Sequence, residues 1–144
     1  MTPVVRKLNQ LLEIHVTSFA SYVLDVGAWN PGRAADEDIA KVLQNVGRDQ
    51  RALADRIYTA ILDRGGPFDY GSYPMSFTDK NDLTYDRLLR EVADFQHRDT
   101  AAIERIAASL EGGDVEALEL AQEALGSAKA HQDALDAVAA CRPA

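Results

Sequence analysis

Apolar residues recur at three- and four-residue steps through four long stretches of this chain, and no run alternates with period two for long enough to make a strand. Each stretch reads as an amphipathic helix, so the fold class is all-α, with helices packed on helices. The first stretch runs from about Pro3 to Val26, with the stripe Val5, Leu8, Leu12, His15, Phe19, Tyr22 and Val26. Pro3 suits a first turn, where its missing N–H is not needed. Gly27 and the turn Trp29-Asn30-Pro31-Gly32 end the helix. The second stretch runs from about Asp36 to Arg64, with the stripe Ile39, Leu43, Val46, Gln50, Leu53, Ile57 and Ala60. Asp36, Glu37 and Asp38 favour its N-terminus through the helix dipole, and Gly65-Gly66-Pro67 stops it. The third runs from about Leu83 to Leu110 and carries Leu88, Val92, Phe95, Ala102, Ile106 and Leu110. The fourth runs from about Val115 to Ala140 and carries Leu118, Ala121, Leu125, Ala128, Leu135 and Val138. Between them Gly112-Gly113-Asp114 makes a tight turn, with Asp114 as N-cap.

The connection from Gly65 to Asp82 is of another kind. Phe68, Tyr70, Tyr73, Met75 and Phe77 need something to pack on, so it is no flexible linker. At ~3.3 Å per extended residue it can reach from one end of a helical bundle to the other. Residues 1–144 therefore read as one domain, a four-helix bundle of two antiparallel hairpins joined by one long crossover.

Charge and cysteine content narrow the setting. Fifteen basic against 23 acidic residues give a net charge of −8, which repels phosphate backbones and argues against nucleic acid. The basic residues are scattered, with no polybasic run for an anionic membrane, and no stretch approaches the ~20 apolar residues of a membrane span. Cys141 is the only cysteine, so no internal disulfide or CxxC site exists. The start, Met1-Thr2-Pro3-Val4-Val5-Arg6-Lys7, lacks the apolar core of a signal peptide. The cytoplasm is the expected compartment.

Function in such a bundle should come from polar residues set among the stripes. His15, Gln50, Glu91 and His131 occupy such positions, one on each helix. Two imidazoles and a carboxylate, His15, His131 and Glu91, are an adequate ligand set for one transition metal if they meet at one depth. Without a metal they would form a hydrogen-bonded core cluster. Gln50 is a poor metal ligand, and Asp49 beside it points elsewhere by ~100° of helix. His97 has polar neighbours and reads as solvated, and Ser18 and Ser21 read as polar-faced helical residues. No GxSxG, phosphate-binding loop or kinase motif set accompanies them, although His97-Arg98-Asp99 matches the start of a kinase catalytic loop.

Leu8-Asn9-Gln10-Leu11-Leu12, then His15, Thr17 and Tyr22-Val23-Leu24, resembles the first helix of bacterioferritins. Arg51-Ala52-Leu53-Ala54-Asp55-Arg56-Ile57 with Ile61-Leu62 and Gly66-Pro67 resembles the second, and His131-Gln132-Asp133-Ala134-Leu135 the last. The resemblance is to the ferritin-like superfamily of bacterioferritin and rubrerythrin type, whose di-iron members use a glutamate on helices one and three and Glu-x-x-His on helices two and four. Carried over, those positions fall on His15, on Gln50 and Leu53, on Glu91, and on Ala128 and His131. The resemblance thus implies a degenerate site. Gln50, Leu53 and Ala128 are not competent, and both bridging carboxylates are gone.

The resemblance implies a binding or scaffold protein without ferroxidase activity and with no expected cofactor. No methionine takes an axial haem position, since Met75 lies in the crossover. The alternative is a mononuclear Zn or Fe protein of oxidoreductase or hydrolase type that uses His15, Glu91 and His131. A DinB-like three-histidine hydrolase is disfavoured by the outward His97. Ferritin-like relatives pair, and aromatic residues in the connections, Trp29, Tyr70, Tyr73 and Phe77, would expose apolar surface, so a homodimer is expected alongside an unknown protein partner.

Overall fold

Helix α1, Pro3–Val16, and helix α2, Phe19–Val26, share the first apolar stripe. In this computed structural model they are followed by α3 (Asp36–Asp63), α4 (Tyr85–Leu110) and α5 (Val115–Ala140). The structure describes residues 1–26, 36–69, 71–74, 76–77 and 84–141. Among these the chain is all-helical, and no helix is long and apolar enough to cross a membrane. The Trp29-to-Gly32 turn, Tyr70, Met75 and the end of the crossover at Asp82 lie outside the described residues.

The single first helix expected over Pro3–Val26 is broken at Thr17–Ser18, because both side chains bind nearby backbone. The Thr17 hydroxyl donates to the Glu13 carbonyl at 2.6 Å, and the Thr17 N–H donates to the same oxygen at 2.9 Å. The Ser18 hydroxyl accepts from the Ser21 N–H at 3.0 Å and so starts α2 as a cap would. A serine or threonine offers the chain this alternative to continuing a helix, and here two stand in succession.

The other ends follow local chemistry more simply. Thr84 caps α4 by accepting from the Arg87 N–H, and Asp114 caps α5 by accepting from the Ala117 N–H. Asp114 also takes two hydrogen bonds from Arg64, each 3.0 Å, so one carboxylate joins the end of α3 to the start of α5. Arg64 and the Ala117 N–H hold that carboxyl below its usual range.

The directions of the helices follow from what each touches. His97 on α4 meets Asp136 on α5, while Leu110 and Ala117, on either side of the turn, belong to one core cluster, so these two are antiparallel. Leu43 and Val46 share a core with Leu89 and Val92, and Ile57 and Ile61 with Ile103 and Ile106. Helices α3 and α4 therefore run the same way, and the segment between them must cross from one end to the other.

Two residues secure that crossing segment. Asn9, buried on α1, donates to the Pro67 carbonyl at 2.9 Å and accepts from the Asp69 N–H at 2.7 Å. Farther along, Phe77 enters a cluster of rings with Phe19, Tyr22 and Phe95, and Tyr73 packs edge-on to Tyr22. Phe77 is buried and so does not present the free apolar surface expected of it, while Tyr73 is half-buried. Asn9→Ala is expected to lower stability by ~1–3 kcal/mol, the range for orphaning a buried partner. Urea denaturation measures the loss, and faster amide exchange at Asp69 would trace it to this clamp.

On α4 the expected stripe is rotated. Leu89, Val92, Ala93, Gln96, Thr100, Ile103, Ile106, Ala107 and Leu110 are buried, while Leu88, Phe95 and Ala102 are half-buried at the flank. Phe95 is turned toward the ring cluster, and two polar residues, Gln96 and Thr100, occupy core positions that an apolar pattern passes over.

Candidate functional site: a polar layer across the core

The core is divided in two. One apolar cluster contains Leu12, Leu53, Ile103 and Ala128, and the other Phe19, Val46, Val92 and Leu135. Between these pairs stand buried polar residues: His15 on α1, Ser18 in the break after it, Gln50 on α3, Gln96 and Thr100 on α4, and His131 on α5. The layer thus occupies about one helical turn in the middle of the core, between the two apolar clusters.

Its hydrogen bonds run in one direction through the molecule. The Ser18 hydroxyl donates to Gln50 Oε1 at 2.5 Å, and Gln50 Nε2 donates to Gln96 Oε1 at 3.2 Å. Gln96 Nε2 then donates to the Thr100 hydroxyl and to the Ala128 carbonyl, both at 3.4 Å. The Thr100 hydroxyl itself donates to the backbone carbonyl of Gln96 at 2.8 Å. Buried polar groups are tolerated when they are partnered, and this chain of amides partners itself.

His15 lies beside it. Its Nδ1 is 2.8 Å from the Leu11 carbonyl, which can only accept, so Nδ1 carries the proton and Nε2 the lone pair. Burial pushes this imidazole below its ordinary pKa; the Leu11 bond opposes the shift and the nearby His131 adds to it. His131 Nε2 is 2.8 Å from Asp49 Oδ2, at the outer edge of the layer. His15, Gln50, Leu53, Gln96, Ala128 and His131 all line one cavity of about 10 Å³, the size of a single water.

Of the three residues expected to meet, the structure brings together His15 and His131 but not Glu91. Glu91 precedes Gln96 by about 7 Å along the helix axis, is absent from the cavity wall, and pairs with Arg87 at 3.2 Å. The α4 residue that lies across from Gln50 is an amide, Gln96, rather than an acid. Among the described residues no three His, Cys, Asp or Glu side chains are grouped to hold a metal ion. Gln50, Leu53 and Ala128 do line the cavity, as their positions in the stripes implied.

Asp49 does point away from the core, with 62% of its side chain exposed, and its carboxylate meets His131 from outside, across the α3–α5 interface. Ser18 and Ser21 are buried rather than polar-faced, because the helix break turns them inward. The signal for Ser18 was present as the Thr-Ser pair within an apolar stripe. His97 is exposed, as its polar neighbours implied, and pairs with Asp136.

Asp99, three residues beyond Gln96, is half-buried, and its carboxylate has no hydrogen-bond or ion-pair partner among the described residues. Burial pushes its pKa up to about 7, with Arg98 pulling it back.

Gln50→Leu is expected to cost ~1–3 kcal/mol, because the Ser18 hydroxyl and Gln96 Oε1 each lose a partner. The double replacement Gln50→Leu, Gln96→Leu should recover part of that loss, since it removes one of the orphaned groups. A double mutant that is less stable than the sum of the single changes would contradict the coupled layer.

Comparison with family models, with curated proteins and with solved structures yields no match for this chain.

Proposed function

We propose that this chain is a ferritin-like four-helix bundle, two hairpins joined by the Gly65–Asp82 crossover, that acts as a binding or scaffold module without a di-iron centre. The observation that carries this reading is the pairing of Gln50 with Gln96 in the middle of the core. A di-iron bundle needs carboxylates there to bridge and neutralise two cations. Neutral amides that already satisfy one another do not fit that group. Nor does a cavity of about 10 Å³ admit an organic substrate. Recognition then falls to the outer surface. The end-to-end crossing between α3 and α4 supports the ferritin-like arrangement, and pairing of two copies is a separate proposal, read by light scattering at high protein concentration.

A second reading is a mononuclear site for Zn or Fe. It is favoured by one observation: His15 and His131 line the same cavity, and no described group donates to Nε2 of His15. The carboxylate beside His131 in that reading is Asp49, in place of Glu91. Elemental analysis of protein purified without an affinity tag separates the two. The module reading expects metal far below one equivalent per chain and no rise in unfolding midpoint on adding Zn²⁺ or Fe²⁺. Stoichiometric metal that is lost in His131→Gln would overturn it.

A further inference from the structure

We propose that the ridge formed by Tyr58, Leu62 and Phe68 is a docking surface for a basic amphipathic helix of another protein. Tyr58 and Leu62 lie one turn apart on α3, and they remain 45% and 58% exposed. The crossing segment lays the Phe68 ring flat on Tyr58, with centroids 4.2 Å apart and planes within 6°. Phe68 also packs against the core beneath, so the ring pair is fixed in place and offers a preformed apolar face. Two anchors four residues apart with an adjacent ring match the spacing at which a partner helix presents its own apolar side chains.

The charges around the ridge select the occupant. Asp55, Tyr58 and Leu62 follow one another at three- and four-residue steps and so share a face of α3, Asp69 follows Phe68, and both carboxylates are exposed. The nearby arginines are engaged elsewhere: Arg51 donates to the Ser21 carbonyl, Arg56 binds both oxygens of Glu123, and Arg64, just past the end of α3, binds Asp114. The ridge is therefore apolar with an acidic border, on a chain of net charge −8. A second copy docking here about a two-fold axis would set these carboxylates against their own counterparts. A helix with lysine or arginine flanking an apolar stripe matches both features.

This proposal rests on the binding-module reading, and its test is separate from metal analysis. The probe is a synthetic peptide of about 18 residues, five helical turns, with leucine on one face and lysine on the other. The control peptide has the same composition with the helical period scrambled. Titrated into isotope-labelled full-length protein, the periodic peptide should shift amide signals centred on Tyr58, Leu62 and Phe68. The double change Tyr58→Lys, Leu62→Lys, at exposed positions, should weaken binding roughly tenfold or more while keeping the unfolding midpoint. Glu119→Lys on α5 should leave binding unchanged. Equal binding of the scrambled peptide, or shifts spread over the α5 carboxylates, would overturn the proposal. So would the same ridge signals moving with protein concentration alone, which would make the occupant a second copy. Stoichiometric metal would sink the module reading and leave the peptide result standing.

Discussion

Phe19→Ala is expected to destabilise the protein by ~3–5 kcal/mol, the range for deleting a buried aromatic ring. Phe19 is 1% exposed and sits at the centre of the ring cluster, with centroid distances of 4.9 Å to Phe77, 5.2 Å to Phe95 and 6.2 Å to Tyr22. Its removal affects three elements together: α2, α4 and the crossing segment. A domain of this size has about 5–15 kcal/mol of stability in all, so the loss is a large share. Phe77 and Tyr73 would also lose part of their seat, and limited proteolysis within residues 71–77 should accelerate more than the global loss alone predicts. Phe19→Leu, which keeps most of the apolar volume, should be milder on both measures. A loss below about 1 kcal/mol for Phe19→Ala would mean the ring cluster does not hold the segment.

Asp99→Asn is expected to stabilise the protein in alkaline solution and to do nothing in acid. The Asp99 carboxyl is raised from 3.8 to about 7 by burial. The folded chain therefore holds this proton when the unfolded chain has released it. Stability from this group is full below pH 3.8, declines as pH rises through that interval, and levels off above pH 7. At 1.36 kcal/mol per pKa unit the ceiling is about 4 kcal/mol, and partial contact with water lowers it to about 2 kcal/mol. Asparagine removes the charge and so removes the alkaline penalty. His15 works in the opposite direction. Its folded pKa is lowered below 6.5, so the unfolded chain takes up the proton first, and stability falls as pH drops through 6.5. Denaturation midpoints of the parent and of Asp99→Asn, measured from pH 4 to pH 9, should diverge with rising pH. Parallel curves would show that the Asp99 carboxyl is not desolvated.

Much of the molecule was legible in the residue pattern, for definite reasons. The stripe of α3, from Ile39 to Ala60, is buried at every position named for it, including Gln50. A long run of period 3.6 leaves one face to the core whatever packs on it, so composition along the helix suffices. The Asp114 cap and the Gly112-Gly113 turn are also local, since a short side chain meets backbone three residues away. The depth of His15, Gln50 and His131 followed from the same stripes.

What the pattern missed depended on atoms distant in the chain. Gln96 joined the layer, and exposed Asp49 came to meet its outer edge, only because α4 and α5 pack against α3, which put an amide opposite Gln50 and an imidazole beside Asp49. The break at Thr17–Ser18 is local in its hydrogen bonds, but its inward turn is completed by Gln50 on another helix. Glu91 was placed by apolar spacing on α4, where Phe95 is drawn aside by Phe19 and Phe77. By itself, then, the sequence determined the helical class, the buried face of α3 and the caps at Thr2, Thr84 and Asp114, because periodicity and capping act over a few residues. Only the tertiary structure decided which polar side chains meet at mid-core. That choice is set by the rotation and axial register of one helix against another, and long-range packing fixes both.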